Sequence, residues 1–293
     1  MTKTYSGPRV VCRPALASDT SDVLEFTKTI WEGHDYIHEV WKDWFEDPQG
    51  LLAVAQFGPH AVGMAKVTWL SPGQWWLEGL RVDPAFQGQK IGSHLHEYMD
   101  GWWLGHCDGV IRLMTNSKRV QVHHLCERTG YAKVGEVLGY RLVVAAGSRR
   151  HRFEAAKLDE VPEAVRFAAK RLGHSSGLLD SGWRFSVPDE TMLADWARAG
   201  RLHWWRGREG LLGYSEDENE NGRLLGIGFT ACKLSALGEL LIDAARLARD
   251  ARFAEVRWLA PVDPEVEAAL STAGYALDWE SSGYLYEKRH PGT

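Results

Sequence analysis

The sequence is short of the features that cross-link a chain or carry it through a bilayer. Its four cysteines (Cys12, Cys107, Cys126, Cys232) lie far apart with no CxxC pair. That argues against a disulfide framework or a zinc ribbon and fits a reducing compartment. There is no excess of positive charge: 34 Lys and Arg face 39 Asp and Glu, a net of −5. No overall basic field is available to hold a nucleic-acid backbone, so no nucleic-acid partner is expected. No apolar run approaches the roughly 18 residues needed to span a bilayer, and the start MTKTYSGPRV has no signal-peptide apolar core. A soluble, cytoplasmic protein without a membrane partner is expected. Neither a Walker A nor a GxGxxG spacing occurs in a strand-turn-helix context. What is present is a globular composition, 44% apolar and 25% charged, with 30 Gly and 11 Pro, which excludes a disordered or collagen-like chain. A length of 293 residues predicts two domains of roughly 130 to 150 residues. Fourteen tryptophans are many, and such amphipathic rings go to cores or to pockets that stack on ligands.

The first half alternates strand and helix signals. Residues 9–13 read as a strand, and 18–22 cap a helical stretch that breaks near Gly33 and runs to about Glu46. Residues 51–57 and 61–70 read as a hairpin around Gly58 and Pro59, and 75–82 as the next strand. A helix from about Ser93 to Gly105, a strand at 110–115, a helix at 120–128 and closing strands to Val144 follow. The pattern then restarts: strand 152–158, helix 159–172, strands 201–205, 210–214 and 223–232, helix 235–252, then strand, helix and strand over 254–279. IRLMTN with ERTGY (Ile111 to Tyr131) is echoed by VRWLAP with STAGY (Val256 to Tyr275), Gly130 and Gly274 standing 144 positions apart. The echo argues for a duplicated domain, with AAGSRRH (Ala145 to His151) as the linker.

The segment most informative about function is WWLEGLRVDPAFQGQKIGS, Trp75 to Ser93. A strand runs into a glycine-bearing turn that opens a helix, so several backbone N–H groups and the helix dipole converge on one spot suited to a pyrophosphate. With Val82-Asp83-Pro84 before Gln87-Gly88-Gln89-Lys90-Ile91-Gly92, and Gly130-Tyr131 later, the chain resembles the GNAT superfamily of acetyl-coenzyme A-dependent N-acetyltransferases. Gln87 and Gly92 match that family's loop, whereas Lys90 stands where its first glycine usually stands. The resemblance covers residues 10–144 and, in topology order, the second half as well. It implies an α/β (α+β) fold of two GNAT-like domains, each a mixed, mostly antiparallel sheet flanked by helices. Residues 1–146 would bind acetyl-CoA and 147–293 would be a degenerate copy. The resemblance also implies that the backbone of Leu80 and Val82 holds the pantetheine arm, and that the run Leu80, Arg81, Val82, Gln87, Gly88, Gln89, Lys90, Ile91, Gly92 and Ser93 makes the cofactor site. Glu78 is the candidate base that takes a proton from an acceptor ammonium, because only a neutral amine attacks a thioester. By period-two alternation Glu78 is expected on the same strand face as Leu80 and Val82. Cys126 occupies the place of the family's usual tyrosine acid, and a thiol can in principle donate a proton; a small buried residue is the plainer reading.

HDYIH, His34 to His38, imitates a metalloprotease pair at i, i+4, yet lacks a third ligand and the glutamate, so no metal is expected. Within the resemblance it falls on the acceptor side, where Trp31, His34, Tyr36, Trp41 and Trp76 are candidate substrate-binding residues, forming an aromatic pocket beside Glu78. RLLGIG, Arg223 to Gly228, copies the cofactor motif by letter but follows a polar turn and continues as strand, so it is set aside. The expected activity is acetyl transfer from acetyl-CoA to the primary amine of a small molecule or amino acid by direct attack. The alternatives are a non-catalytic acyl-CoA-binding module and, least of all, a zinc peptidase. A homodimer is possible.

Overall fold

The computed structural model describes residues 10–147, 149–172 and 177–292. The chain divides into two compact units that interleave along the sequence. The first contains residues up to Leu113, His124–Tyr131 and the stretch from Glu287 onward, and the second contains Met114–His123 and Ala132–Tyr286. The expected cut at 146/147 is a single cut along the chain, whereas these units exchange segments.

In the first unit, β1 (Val11–Pro14), β2 (Leu51–Phe57), β3 (His60–Ser71) and β4 (Gln74–Val82) are antiparallel neighbours in that order, and β4 pairs parallel with β5 (Val110–Asn116). Helices α1 (Thr20–Thr27) and α2 (Ile37–Glu46) cover one face, where Val23, Phe26, Ile37, Trp41 and Trp44 pack on Leu52, Val54 and Met64. Helix α3 (Ile91–His106) covers the other, with Ile91 and Leu95 against Ala55 and Val62. Val54 and Ala55 go to opposite sides, as consecutive strand residues must. Arg112 on β5 is 2% exposed; its guanidinium donates to Glu287 at 2.8 Å and to Gln74 at 3.1 Å. Helix α4 (Val120–Arg128) and β6 (Ala132–Val143) follow in sequence.

The second unit repeats the plan. Its strands β7 (Phe153–Ala155), β10 (Leu202–Trp205), β11 (Gly210–Asn219) and β12 (Gly222–Ala231) are antiparallel neighbours, and β12 runs parallel to β13 (Glu255–Pro261), which pairs antiparallel with β6. Helices α5 (Val161–Arg171) and α6 (Glu190–Arg198) lie on one face, joined in sequence by a short hairpin of β8 (Leu179–Asp180) and β9 (Phe185–Ser186). Helices α7 (Leu234–Asp250) and α8 (Pro264–Thr272) lie on the other. Strands β14 (Ala276–Leu277) and β15 (Gly283–Arg289) close the order of elements. Asp263 caps α8 by accepting from the amides of Glu265 and Val266, with Pro264 at the first helical position where no N–H is needed. The RLLGIG letters lie inside β12. The hairpin β8–β9, α6 and β15 have no counterpart in the sequence-based element order.

Candidate functional site

One glycine organises the site in the first unit. Between Lys66, opposite Glu78, and Met64, opposite Arg81, β4 has one residue more than β3, which is a β-bulge. Gly79 sits there with φ 65°, and a Cβ on it would lie 2.4 Å from the Trp44 ring. The extra residue interrupts the alternation. Glu78 and Arg81 both face α1 and α2, while Leu80 and Val82 face α3, packed with Ile91. This corrects the expectation that Glu78 shares a face with Leu80 and Val82: period two holds only through an uninterrupted ladder.

On the α2 side, Glu78 is half-buried and its Oε1 accepts from Thr68 Oγ1 at 2.5 Å. Trp76, buried, shares that face across from Thr68. Arg81 donates to both carboxylate oxygens of buried Asp35, at 2.7 and 3.2 Å, and its guanidinium lies 5.5 Å from the centre of the Tyr36 ring. Tyr36 meets Trp44 edge to face at 6.1 Å and keeps 36% of its surface open. Desolvation pushes the Tyr36 phenol up, Arg81 pulls it back, and Glu78 and Asp35 add to the rise, so the four groups share one electrostatic environment. Next to them, Lys66 is completely buried and donates to Asp47, whose acidity is increased by that contact against the burial that opposes it.

Several expectations are redistributed. Tyr36, Trp76 and Glu78 come together, and His34 is exposed on the turn before α2. Trp41 is core: its indole Nε1 donates to Thr20 Oγ1 at 3.1 Å and its ring packs with Val23 and Phe26. The side chain of Trp31 lies outside the described residues. Arg81, placed with the cofactor run by position, turns its side chain to the acceptor side. Cys126 is 0% exposed on α4, and burial pushes its thiol up to about 12. A thiol so enclosed is a core residue and leaves the set of candidate proton donors. Thr68 and the Asp35–Arg81 pair were missed by sequence reasoning. Thr68 carried no motif, and the pair spans 46 positions.

On the other side, β4 and β5 pair only from Gln74–Val110 to Trp76–Arg112, so the edge of β4 over 77–82 has no ladder partner toward β5 among the described residues. Asp83 accepts from the amide of Ala85, closing a short 3-10 turn, and an exposed loop, Gln87 to Lys90, leads into α3. Gly88 has φ 81° and Lys90, the N-cap, φ 60°, so the loop turns through two left-handed residues and aims the first amides of α3 outward. Gly92 lies against Leu80 and Val82, whose methyl groups would meet a Cβ there at 3.5 and 3.7 Å. An open strand edge leading to a helix N-terminus is a fitting cradle for an extended acyl-pantetheine arm ending in phosphates. Ile91 itself is buried, so its side chain is core and only its backbone is available to a ligand.

Residues 19–131 match the model of the family described as Acetyltransferase (GNAT) family. No curated protein matches the sequence significantly. Among solved structures, a GCN5-related N-acetyltransferase from Sphaerobacter thermophilus superposes with a TM-score of 0.63 at 13% identity, over 95% of each chain. A tandem GNAT protein from the clavulanic acid biosynthesis pathway gives 0.59 at 13% identity, over 97% of this chain and all of that one. The GCN5-related glucosamine N-acetyltransferase region of a fungal multi-domain GH3 β-N-acetylglucosaminidase gives 0.69 at 14% identity, over 97% of this chain and 38% of that one. At such identities the likeness is one of fold: two GNAT-like domains in one chain.

Proposed function

We propose, proceeding from the match of residues 19–131 to the acetyltransferase (GNAT) family model, that the first unit transfers an acetyl group from acetyl-CoA to the primary amine of a small molecule or amino acid. The observation that carries this reading is the bulge at Gly79, which sets Glu78 and Arg81 on the face of Tyr36 and Trp44 and Leu80 and Val82 on the face of α3, where the ladder of β4 with β5 has ended. When bound, the cosubstrate supplies an activated thioester carbonyl. The stretch of β4 beyond its ladder with β5 and the loop Gln87 to Gly92 would hold its pantetheine arm and its phosphates, with the Lys90 ammonium adding a cation beside the helix N-terminus.

Acceptor chemistry falls to the α2 face. Tyr36, Trp44 and Trp76 supply an apolar, aromatic surround that an alkylammonium enters with partial loss of water. Glu78 accepts a proton from the ammonium, directly or through one water, leaving the nitrogen lone pair free to attack. The Thr68 hydroxyl holds one oxygen of Glu78 and so fixes the carboxylate plane. Arg81 and Asp35 bind the turn before α2 to the bulge, so the pocket wall and the base move as one. In the second unit, α7 follows β12 through Cys232 and Lys233 alone, too short for a phosphate loop, which supports a copy that does not hold the cosubstrate.

The buried Cys126 favours one competing reading, a non-catalytic acyl-CoA-binding module, because it leaves that position without a proton donor. Calorimetry with acetyl-CoA, followed by release of free thiol with an amine panel that includes histidine and polyamines, separates the two. Binding and turnover are expected, with Glu78→Gln lowering kcat roughly 10²- to 10⁴-fold. Binding without turnover on any amine leaves the module reading, and turnover unchanged in Glu78→Gln removes Glu78 as the base.

A further inference from the structure

Three closed ion pairs surround Glu78 on the face that carries the proposed acceptor chemistry. Arg81 gives its Nε and one Nη to Asp35, and its other Nη donates to the Leu80 carbonyl oxygen at 3.3 Å. The Arg81 and Asp35 side chains are 11% and 1% exposed. Lys66, the ladder partner of Glu78 on β3, is completely buried and directs its ammonium to Asp47. Gly50 lies over that contact, since a Cβ there would stand 2.7 Å from Lys66 Nζ and 2.9 Å from an Asp47 carboxylate oxygen. Arg112 faces the same way from β5, nearly fully buried, and is held by Glu287 and Gln74.

What stays open on this face is of another kind. Glu78 and Thr68 are partly exposed, and Tyr36 keeps more than a third of its surface. The charged residues of α2 are exposed, opposite the buried Ile37, Trp41 and Trp44. A carboxylate that enters such a site loses water and gains no cation, because each of the three buried cations already holds its own carboxylate out of reach of solvent. In an α-amino acid that carboxylate is two bonds from the reacting nitrogen, so it cannot stay outside while the ammonium reaches Glu78. It then meets a like charge at close range, which weakens binding by at least about 100-fold. An apolar substituent meets the open ring of Tyr36 instead.

We propose that the acceptor is a primary amine with an uncharged, apolar substituent, and that the pairs Arg81–Asp35, Lys66–Asp47 and Arg112–Glu287 form a charge filter that excludes free amino acids. The inference rests on the acetyltransferase reading of this site and narrows it. Ammonium and thioester give amide, free thiol and one proton. The N–C bond forms as the C–S bond breaks, and of the two protons that the nitrogen loses, one ends on sulfur and one reaches solvent through Glu78.

The test assays the full chain at pH 8, above the ordinary range of imidazole, so that exposed His34 adds no cation. Release of free thiol from acetyl-CoA is followed with three matched series: phenethylamine, phenylalaninol and phenylalanine; isoamylamine, leucinol and leucine; histamine, histidinol and histidine. Each alcohol replaces the carboxylate by a neutral hydroxymethyl group, which separates exclusion by charge from exclusion by size. In a series that turns over, kcat/KM of the alcohol is expected within about tenfold of the amine and at least about 100-fold above the amino acid. An amino acid closer than that to its alcohol overturns the inference and leaves the acetyltransferase reading in place. No thiol release in any series overturns that reading and this inference with it. Asp35→Asn keeps the shape of the pair and frees the Arg81 charge, so the deficit of the amino acid should shrink at least about tenfold, whereas mere structural damage lowers all three substrates alike. A deficit unchanged in folded variant, verified by thermal melt, overturns the filter; if the variant does not fold, the wild-type series decide.

Discussion

Replacing Gly79 with alanine probes the feature on which the candidate site depends. Two separable terms act on the new methyl group. The backbone at φ 65° lies in the left-handed region, where a Cβ costs about 1–2 kcal/mol. The Cβ would also stand 2.4 and 2.7 Å from Cζ3 and Cη2 of Trp44, and overpacking of this kind costs about 1–3 kcal/mol. Gly79→Ala should therefore lose about 2–5 kcal/mol, read from the urea midpoint of the transition that moves, at constant slope. In a Trp44→Leu background the ring is gone and only the backbone term remains, so the same substitution should lose about 1–2 kcal/mol, a coupling of about 1–3 kcal/mol. Thiol release should fall with it, because moving Glu78 by an ångström is enough to cost about 10² in rate. A loss under about 1 kcal/mol in wild type, or equal losses in the two backgrounds, would refute the account of the bulge.

Lys90→Gly removes a side chain from a left-handed N-cap and should raise the melting point, by about 1 kcal/mol of stability; an unchanged or lower melting point counts against strain there. His96 is buried, bonded to Thr129 at 2.9 Å, and desolvation holds it down to about 4 against an ordinary 6.5. The unfolded chain takes up that proton first, so stability present above pH 6.5 declines by about 3 kcal/mol as pH falls to 4. Urea midpoints from pH 7 to 4 should show this slope flattened in His96→Gln. Asp180 has the opposite sign: desolvation pushes it up to about 7, the folded state binds its proton more tightly, and stability declines by about 4 kcal/mol as pH rises from about 4 through 7. Asp180→Asn should then be the more stable protein at pH 8 and lose its advantage at pH 4. Equal midpoints at pH 8 would remove the destabilising carboxylate.

The sequence made the repeated strand-helix order legible because its elements are long and periodic: β4 and α3 fell within two residues of expectation, and the break at Gly33 separates α1 from α2 with φ 90°. The loop was visible through its glycines. The side-chain faces were not, because one inserted residue at Gly79 reverses the parity of everything after it, and a bulge has no letter of its own beyond a glycine. Trp41 and Trp44 are indistinguishable as letters three apart on α2, yet one points to Thr20 and the core and the other to the bulge. The hairpin β8–β9 escaped because strands of two residues have no periodicity to detect, and its Asp180 has no neighbouring motif to mark it.

The segment that completes the first unit is made only after the second unit. Arg112 is made early, and its carboxylate partner Glu287 comes 175 residues later; Asp100 waits still longer for Lys288, which it meets at 2.7 Å. During synthesis the Arg112 guanidinium would hold Gln74 but lack its carboxylate while the second unit is translated, so the first unit reaches its final form only after the second has been made. A fragment ending at residue 146 would keep Arg112 and lose Glu287, exposing a charged, incomplete sheet to aggregation. Restoring 287–293 as a separate peptide should rescue more of its solubility than appending any part of the second unit's helices.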